Sequence, residues 1–155
     1  MATAVLVIDL QENTIGDKLS KRYRPGLIDD INARLAISVQ ADELVVYIKN
    51  LKSLRSGKVL SPLVEGLDVV SDHILTKDRT SAFANPELLT LLKNHGVEHV
   101  ELVGVDGNQC IAITAVNAIN LGLAVTLSPL LVGVANAERF EQTKARLQKA
   151  GVLVI

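Results

Sequence analysis

The chain has 155 residues, 48% of them apolar but only 3% aromatic, with a formal net charge of −1 and one cysteine. That length suits a single domain over residues 1–155, burying roughly two-thirds of its unfolded surface in a core of Leu, Val, Ile and Ala. Near-neutral charge with no basic run beyond Lys21-Arg22 argues against nucleic acid or membrane as partner, and a lone cysteine excludes an internal disulfide.

Ala4-Val5-Leu6-Val7-Ile8 is continuously apolar, the pattern of a central parallel strand buried on both faces. Asp9 ends it early, and no basic segment precedes it, so it is not a signal peptide. No apolar run approaches the roughly 18 residues of a membrane span. With the reducing compartment that one free cysteine implies, the expected location is cytoplasmic. Asp9 stands where open α/β sheets place their ligands; capping the next turn is an equally good reading of it.

Residues 12–26 are polar and carry Gly16 and Arg24-Pro25-Gly26, a loop. From Leu27 a helix is predicted, with Ile28, Ile31, Leu35 and Val39 on its buried face and Asp29 and Asp30 at its positive end. Leu44–Ile48 is a second strand. Residues 49–70 are irregular; Lys49, Lys52, Arg55 and Lys58 suit a solvated connection, or a flap over a pocket. Val69-Val70 and His73-Ile74-Leu75 bracket a third strand ending at Thr76-Lys77. A lone lysine there is by base rate an exposed one.

Asn85-Pro86-Glu87 starts a helix with a cap and an N1 proline, and Gly96 closes it. The fourth strand, His99–Val103, leads into Gly104-Val105-Asp106-Gly107-Asn108-Gln109-Cys110. A helix from about Gln109 to Leu121 is apolar around most of its circumference, which predicts burial on nearly all sides, part of it by a second subunit. Leu123–Leu127 is a fifth strand, Asn136 caps a last helix through Phe140 and Leu147, and Gly151 releases a final strand at 152–155. The alternation predicts a three-layer α/β/α, doubly wound, mostly parallel sheet of about six strands in the order 3-2-1-4-5-6.

In that order, Asp9, Lys77 and Cys110 fall on one edge of the sheet. Cys110 lies in the first turn of its helix, where unpaired N–H groups and the dipole favour a thiolate and can hold an oxyanion. Asp9 can move the thiol proton, Lys77 can favour both anions, and Cys110 can attack a carbonyl carbon. By residue type alone, a free cysteine in an apolar segment is more often a packed small hydrophobe. His95 and His99 are separated by Gly96, and His73 lies in a strand. No His-x-His or Asp-x-His pair supports a metal site, and the Gly-rich corner matches no phosphate loop.

Three segments in register resemble the isochorismatase-like cysteine hydrolase superfamily, which includes nicotinamidases and N-carbamoylsarcosine amidohydrolases. They are Val5–Gln11, Lys77–Phe83 and Gly104–Cys110, with Thr114-Ala115 one turn later. The resemblance implies a catalytic triad of Asp9, Lys77 and Cys110. It implies a cis Val105–Asp106 peptide and an oxyanion hole from the backbone N–H groups of Asp106 and Cys110. It places Gln11 and Phe83 at the substrate pocket. The metal-holding Asp-x-His of nicotinamidases has no counterpart after Lys49, so neither a metal nor a cofactor is expected. Asp106 and Gly107 replace a small residue and a threonine usual in the family, and Asp106 would add negative charge near the sulfur. The function implied is hydrolysis of a C–N bond in a small amide-like substrate through an acyl-enzyme; the apolar helix adds the expectation of a homo-oligomer, a dimer or larger. The alternatives are a non-catalytic binding or scaffold member of the fold, or a vinyl-ether hydrolase, against which the cysteine argues. A phospho-acceptor receiver domain would need acids clustered beside Asp9, and there are none.

Overall fold

The computed structural model describes residues 2–15, 22–51 and 60–155. Its sheet is built from β1 (Ala2–Ile8), β2 (Leu44–Asn50), β3 (Ile74–Lys77), β4 (Val97–Val105), β5 (Ala124–Gly133) and β6 (Leu153–Val154). The order is β3-β2-β1-β4-β5-β6 with every pairing parallel, as the alternation of elements predicted. The helices are α1 (Glu12–Ile15), α2 (Leu27–Gln40), α3 (Pro86–Asn94), α4 (Cys110–Asn120) and α5 (Ala137–Ala150).

Successive strand residues point to opposite faces, so β1 feeds two cores. Ala4, Leu6 and Ile8 pack with Leu88, Ile111, Ala115 and Phe140 of α3, α4 and α5. Val5 and Val7 pack with Leu27, Ile31 and Leu35 of α2. Each fully buried aliphatic side chain stabilises the fold by about 1.5–3 kcal/mol. No helix among the described residues is long and apolar enough to cross a membrane.

Several boundaries differ from the sequence expectation. The buried stripe of α2 is Leu27, Ile31, Leu35 and Ser38, whereas Val39 is exposed. Ser38 wins the position because its hydroxyl donates to Glu43 and accepts from Arg34, so a polar residue closes the stripe. Val69 and Val70 lie before β3 and are exposed. β5 runs on through Pro129 to Gly133. Pairing jumps from Leu102↔Leu127 to Gly104↔Val132, so the extra residues of β5 hold the proline outside the ladder. In the single chain, Ile113 and Val116 of α4 are 42% and 36% exposed and Leu121, just past its end, 46%, the sides that the sequence reading assigns in part to a second subunit. Of residues 49–70, read as a solvated connection or a flap, 52–59 with Lys52, Arg55 and Lys58 lie outside the described residues.

Candidate active site

β1 ends at Ile8, and Asp9 turns the chain out of the sheet with φ 57°, a left-handed conformation that Asp tolerates better than most residues. Its N–H donates to Ile48 O on β2, and its C=O accepts from Gln11 N–H, both at 3.0 Å. The carboxylate is thereby held over the sheet edge and is almost wholly buried.

Lys77 is the last residue of β3, opposite Asn50 of β2. It is not the exposed lysine of the base rate but 2% exposed. All three ammonium donors are used: Asp9 Oδ2 at 3.1 Å, Thr80 O at 2.9 Å and Cys110 Sγ at 3.2 Å. Burial of a lysine is tolerated only with such pairing. Asp9 Oδ1 is the one buried side-chain oxygen among the described residues that has no hydrogen-bond partner. Asp9, Lys77 and Cys110, distant in sequence, therefore meet.

Cys110 is the first residue of α4 and is half-buried against the core. The corner before it contains a cis Val105–Asp106 peptide, as the resemblance implied. Gly104 has φ 120°, and a Cβ there would lie 2.1 Å from Ile8 O, so only glycine lets β4 approach β1 this closely. Among the described residues, neither the Asp106 nor the Cys110 backbone N–H donates to a protein acceptor, while Gln109 and Ile111 N–H both donate to Asp106 O. After Lys77, Ser81 caps one turn of 3₁₀ helix at Ala82–Ala84, whose first N–H donates to Thr114 Oγ1 at 3.0 Å. That bond ties the Lys77 segment to α4.

The electrostatics correct one expectation. The Cys110 thiol is pushed up to about 11, first by burial and then by the charge of Asp9, with Lys77 opposing both. A helix start does not make this thiol acidic, because desolvation and a neighbouring carboxylate outweigh it. The Asp106 carboxylate is engaged within the corner. Its Oδ1 accepts from Asn108 N–H at 2.8 Å and its Oδ2 from Ala135 N–H at 3.0 Å.

The two pocket candidates part company. Gln11 is fully buried, its amide donating to Ser61 O and accepting from Asn50 N–H, so it joins β1, β2 and the loop at Ser61. Phe83 is half-buried and shares a cavity of about 300 Å³ with Asn117, Asn120 and Leu121 of α4. Sequence reasoning missed Tyr23, which is buried against Gly133 and the Asp106 carboxylate. It also missed Asn108, whose amide links Asn136 O and Thr143 Oγ1. No local pattern marks either, since their partners are distant in sequence.

Residues 3–155 match the Isochorismatase domain family. The chain is 28% identical over 131 residues to a streptothricin hydrolase from Streptomyces noursei, covering 80% of this chain but 47% of that protein. It therefore spans about half the length of this curated relative. A Staphylococcus aureus nicotinamidase superposes with a TM-score of 0.80 at 25% identity, covering 99% of this chain and 97% of that one. A Pyrococcus horikoshii pyrazinamidase in complex with zinc superposes with a TM-score of 0.85 at 20% identity, covering 100% and 99%. Among the described residues here, no group of three or more His, Cys, Asp or Glu side chains converges on one point.

Proposed function

The chain belongs to the isochorismatase family, and from that premise we propose that it is a cysteine hydrolase cleaving a C–N bond of a small amide-like substrate. One observation carries the reading. A buried ammonium, Lys77 Nζ, lies 3.1 Å from Asp9 Oδ2 and 3.2 Å from Cys110 Sγ, while Asp9 Oδ1 is left without a partner. An orphaned buried carboxylate oxygen is costly unless a donor arrives during function.

In this mechanism the resting nucleophile is a neutral thiol, since its pKa near 11 lies well above neutrality. As sulfur bonds to the substrate carbonyl carbon, the thiol proton passes to Asp9. Lys77 offsets the negative charge on sulfur and carboxylate. The carbonyl oxygen becomes an oxyanion, received by the free N–H groups of Asp106 and Cys110. The C–N bond breaks, the amine leaves with the proton from Asp9, and a thioester remains. Water then attacks the thioester and gives its proton to Asp9. The C–S bond breaks, the acid departs, and the proton returns to sulfur. Substrate choice rests with residues 12–26 and 49–70, which flank Asp9 and Lys77 in sequence. The acting unit is a homo-oligomer of this chain; no cofactor, nucleic acid or membrane enters the reaction.

The test is a screen of small amides, ureas and carbamates with Cys110→Ser as control. Turnover by the wild type and none by the variant is expected. A substrate hydrolysed equally by both would sink the reading. The second reading, a binding module without chemistry, draws on the raised thiol pKa. It expects Cys110→Ala to bind ligand as the wild type does, with no acyl-enzyme trapped from either.

A further inference from the structure

The Asp106 side chain departs from the family pattern and takes no part in the chemistry above, yet every acceptor atom it owns is engaged. Its backbone C=O accepts from Gln109 and Ile111 N–H, at 3.0 and 3.2 Å, which fixes the first turn of α4. Its carboxylate Oδ1 accepts from Asn108 N–H, two residues on, in an Asx turn. Its Oδ2 accepts from Ala135 N–H, beyond the end of β5. The buried Tyr23 phenol, contributed by the segment before α2, lies against the same carboxylate. Tyr23 is pushed up to about 12, first by burial and then by the charge of Asp106, so it stays a neutral donor. Only the Asp106 N–H remains unengaged among the described residues.

We infer that Asp106 is a positioning residue: its carboxylate, gripped by Asn108 N–H and Ala135 N–H, clamps the corner so that its own N–H and that of Cys110 face one oxyanion. The contact set explains why aspartate is used. Two backbone donors converge, one from the corner and one from beyond β5, with the Tyr23 phenol beside them, and a carboxylate is an acceptor at both oxygens. Asparagine would turn an NH₂ toward an N–H and lose a partner; alanine would lose both backbone bonds. Gly107 completes the fit. Its N–H donates to Gly133 O, and a Cβ there would come within 2.6 Å of Val134 and 2.7 Å of Phe140.

This inference rests on the acyl-enzyme reading, and the experiment separates the two. The probe for acylation is p-nitrophenyl acetate, which transfers acetyl to sulfur and releases p-nitrophenolate. The probe for mere thiol access is iodoacetamide, whose alkylation needs no oxyanion hole. For Asp106→Asn, acylation should fall at least tenfold with KM little changed, since misplacing such donors costs on the order of 10²-fold. Alkylation should stay within about threefold of the wild type, because the clamp does not set the thiol's reactivity. Equal falls in both reactions, or no fall in acylation, would overturn the inference. Where Asp106→Asn does not fold, Ala135→Pro replaces it, removing the N–H that Oδ2 accepts, with an expected fall of about threefold in acylation alone for one lost donor; no fall overturns the inference. A wild type acylated no faster than Cys110→Ser instead sinks the proposed function. Amide exchange then decides the clamp itself: Asn108 and Ala135 N–H should exchange at least about tenfold faster in Asp106→Ala, since losing a hydrogen bond of about 1.4 kcal/mol is tenfold. Unchanged exchange overturns it.

Discussion

Lys77 Nζ lies 3.1 Å from Asp9 Oδ2, an ion pair between the ends of two strands that are not neighbours in the sheet. β2 stands between β1 and β3, and the two side chains meet at its C-terminal end, where Lys77 is level with Asn50 and Asp9 turns the chain out of β1. The pair is buried on both sides, so removing one member leaves the other charge without compensation. Breaking such a pair costs about 3–5 kcal/mol. Lys77→Met is therefore expected to lose several kcal/mol in urea unfolding, and the double variant Asp9→Asn, Lys77→Met to recover part of that loss. Additive losses would mean the pair is not coupled.

The thiol gives a pH signature. Cys110 has its folded pKa raised from 9.0 to about 11, first by burial and then by Asp9. Between those values the unfolded chain has released the proton and the folded chain has not, so stability falls as pH rises from about 9 through about 11. Alkylation of the folded wild type should accordingly inflect near pH 11 and that of the denatured chain near pH 9. Asp9→Asn removes a charge that raises the pKa, so at pH 8.5 it should alkylate several-fold to about tenfold faster, one pKa unit being tenfold in thiolate. The same variant should lose hydrolysis. Opposite signs in one variant distinguish an acid–base partner from a residue that only shapes the pocket.

Gly104 guards the approach of β1 and β4 beneath the site. A Cβ there would lie 2.1 Å from Ile8 O, and φ 120° disfavours any side chain. Gly104→Ala is expected to cost more than the roughly 1–3 kcal/mol of ordinary overpacking, because backbone rather than a side chain must move. The end of β1 carries Asp9, so the variant should also reduce turnover at temperatures where it remains folded. Thermal unfolding and activity on the same samples check both.

The homo-oligomer expected from sequence has a definite candidate face. Ile113 and Val116 of α4, with Leu121 just past its end, are exposed beside the cavity at Phe83 and a groove of about 460 Å³ against Arg139 and Arg146 of α5. We propose this face as the seam of a two-fold dimer. Light scattering should give a dimer or larger, and Val116→Glu should shift it toward the monomer with the far-UV spectrum unchanged. A monomeric wild type removes the proposal.

The fold was legible because its signal is local. Continuous apolar strands, helices closed by Gly96 and Gly151, and the caps Asn85 and Asn136 are all short-range patterns, and the structure realises each of them. Their alternation, with right-handed crossovers, leaves few strand orders. The Asp9, Lys77 and Cys110 positions followed from that order, since residues at the ends of parallel strands share an edge. Burial of individual faces was less legible: Val39 and the outer side of α4 carry apolar residues that no layer covers, because apolar character does not say what lies opposite. Only the tertiary structure decided that Lys77 is buried, that Gln11 is turned inward, and that Tyr23, Ala135 and Asn108 converge on Asp106. The sign of the thiol's pKa shift was decided there too. A helix start is visible in sequence, whereas desolvation and the distance to a carboxylate depend on every segment packed around the sulfur.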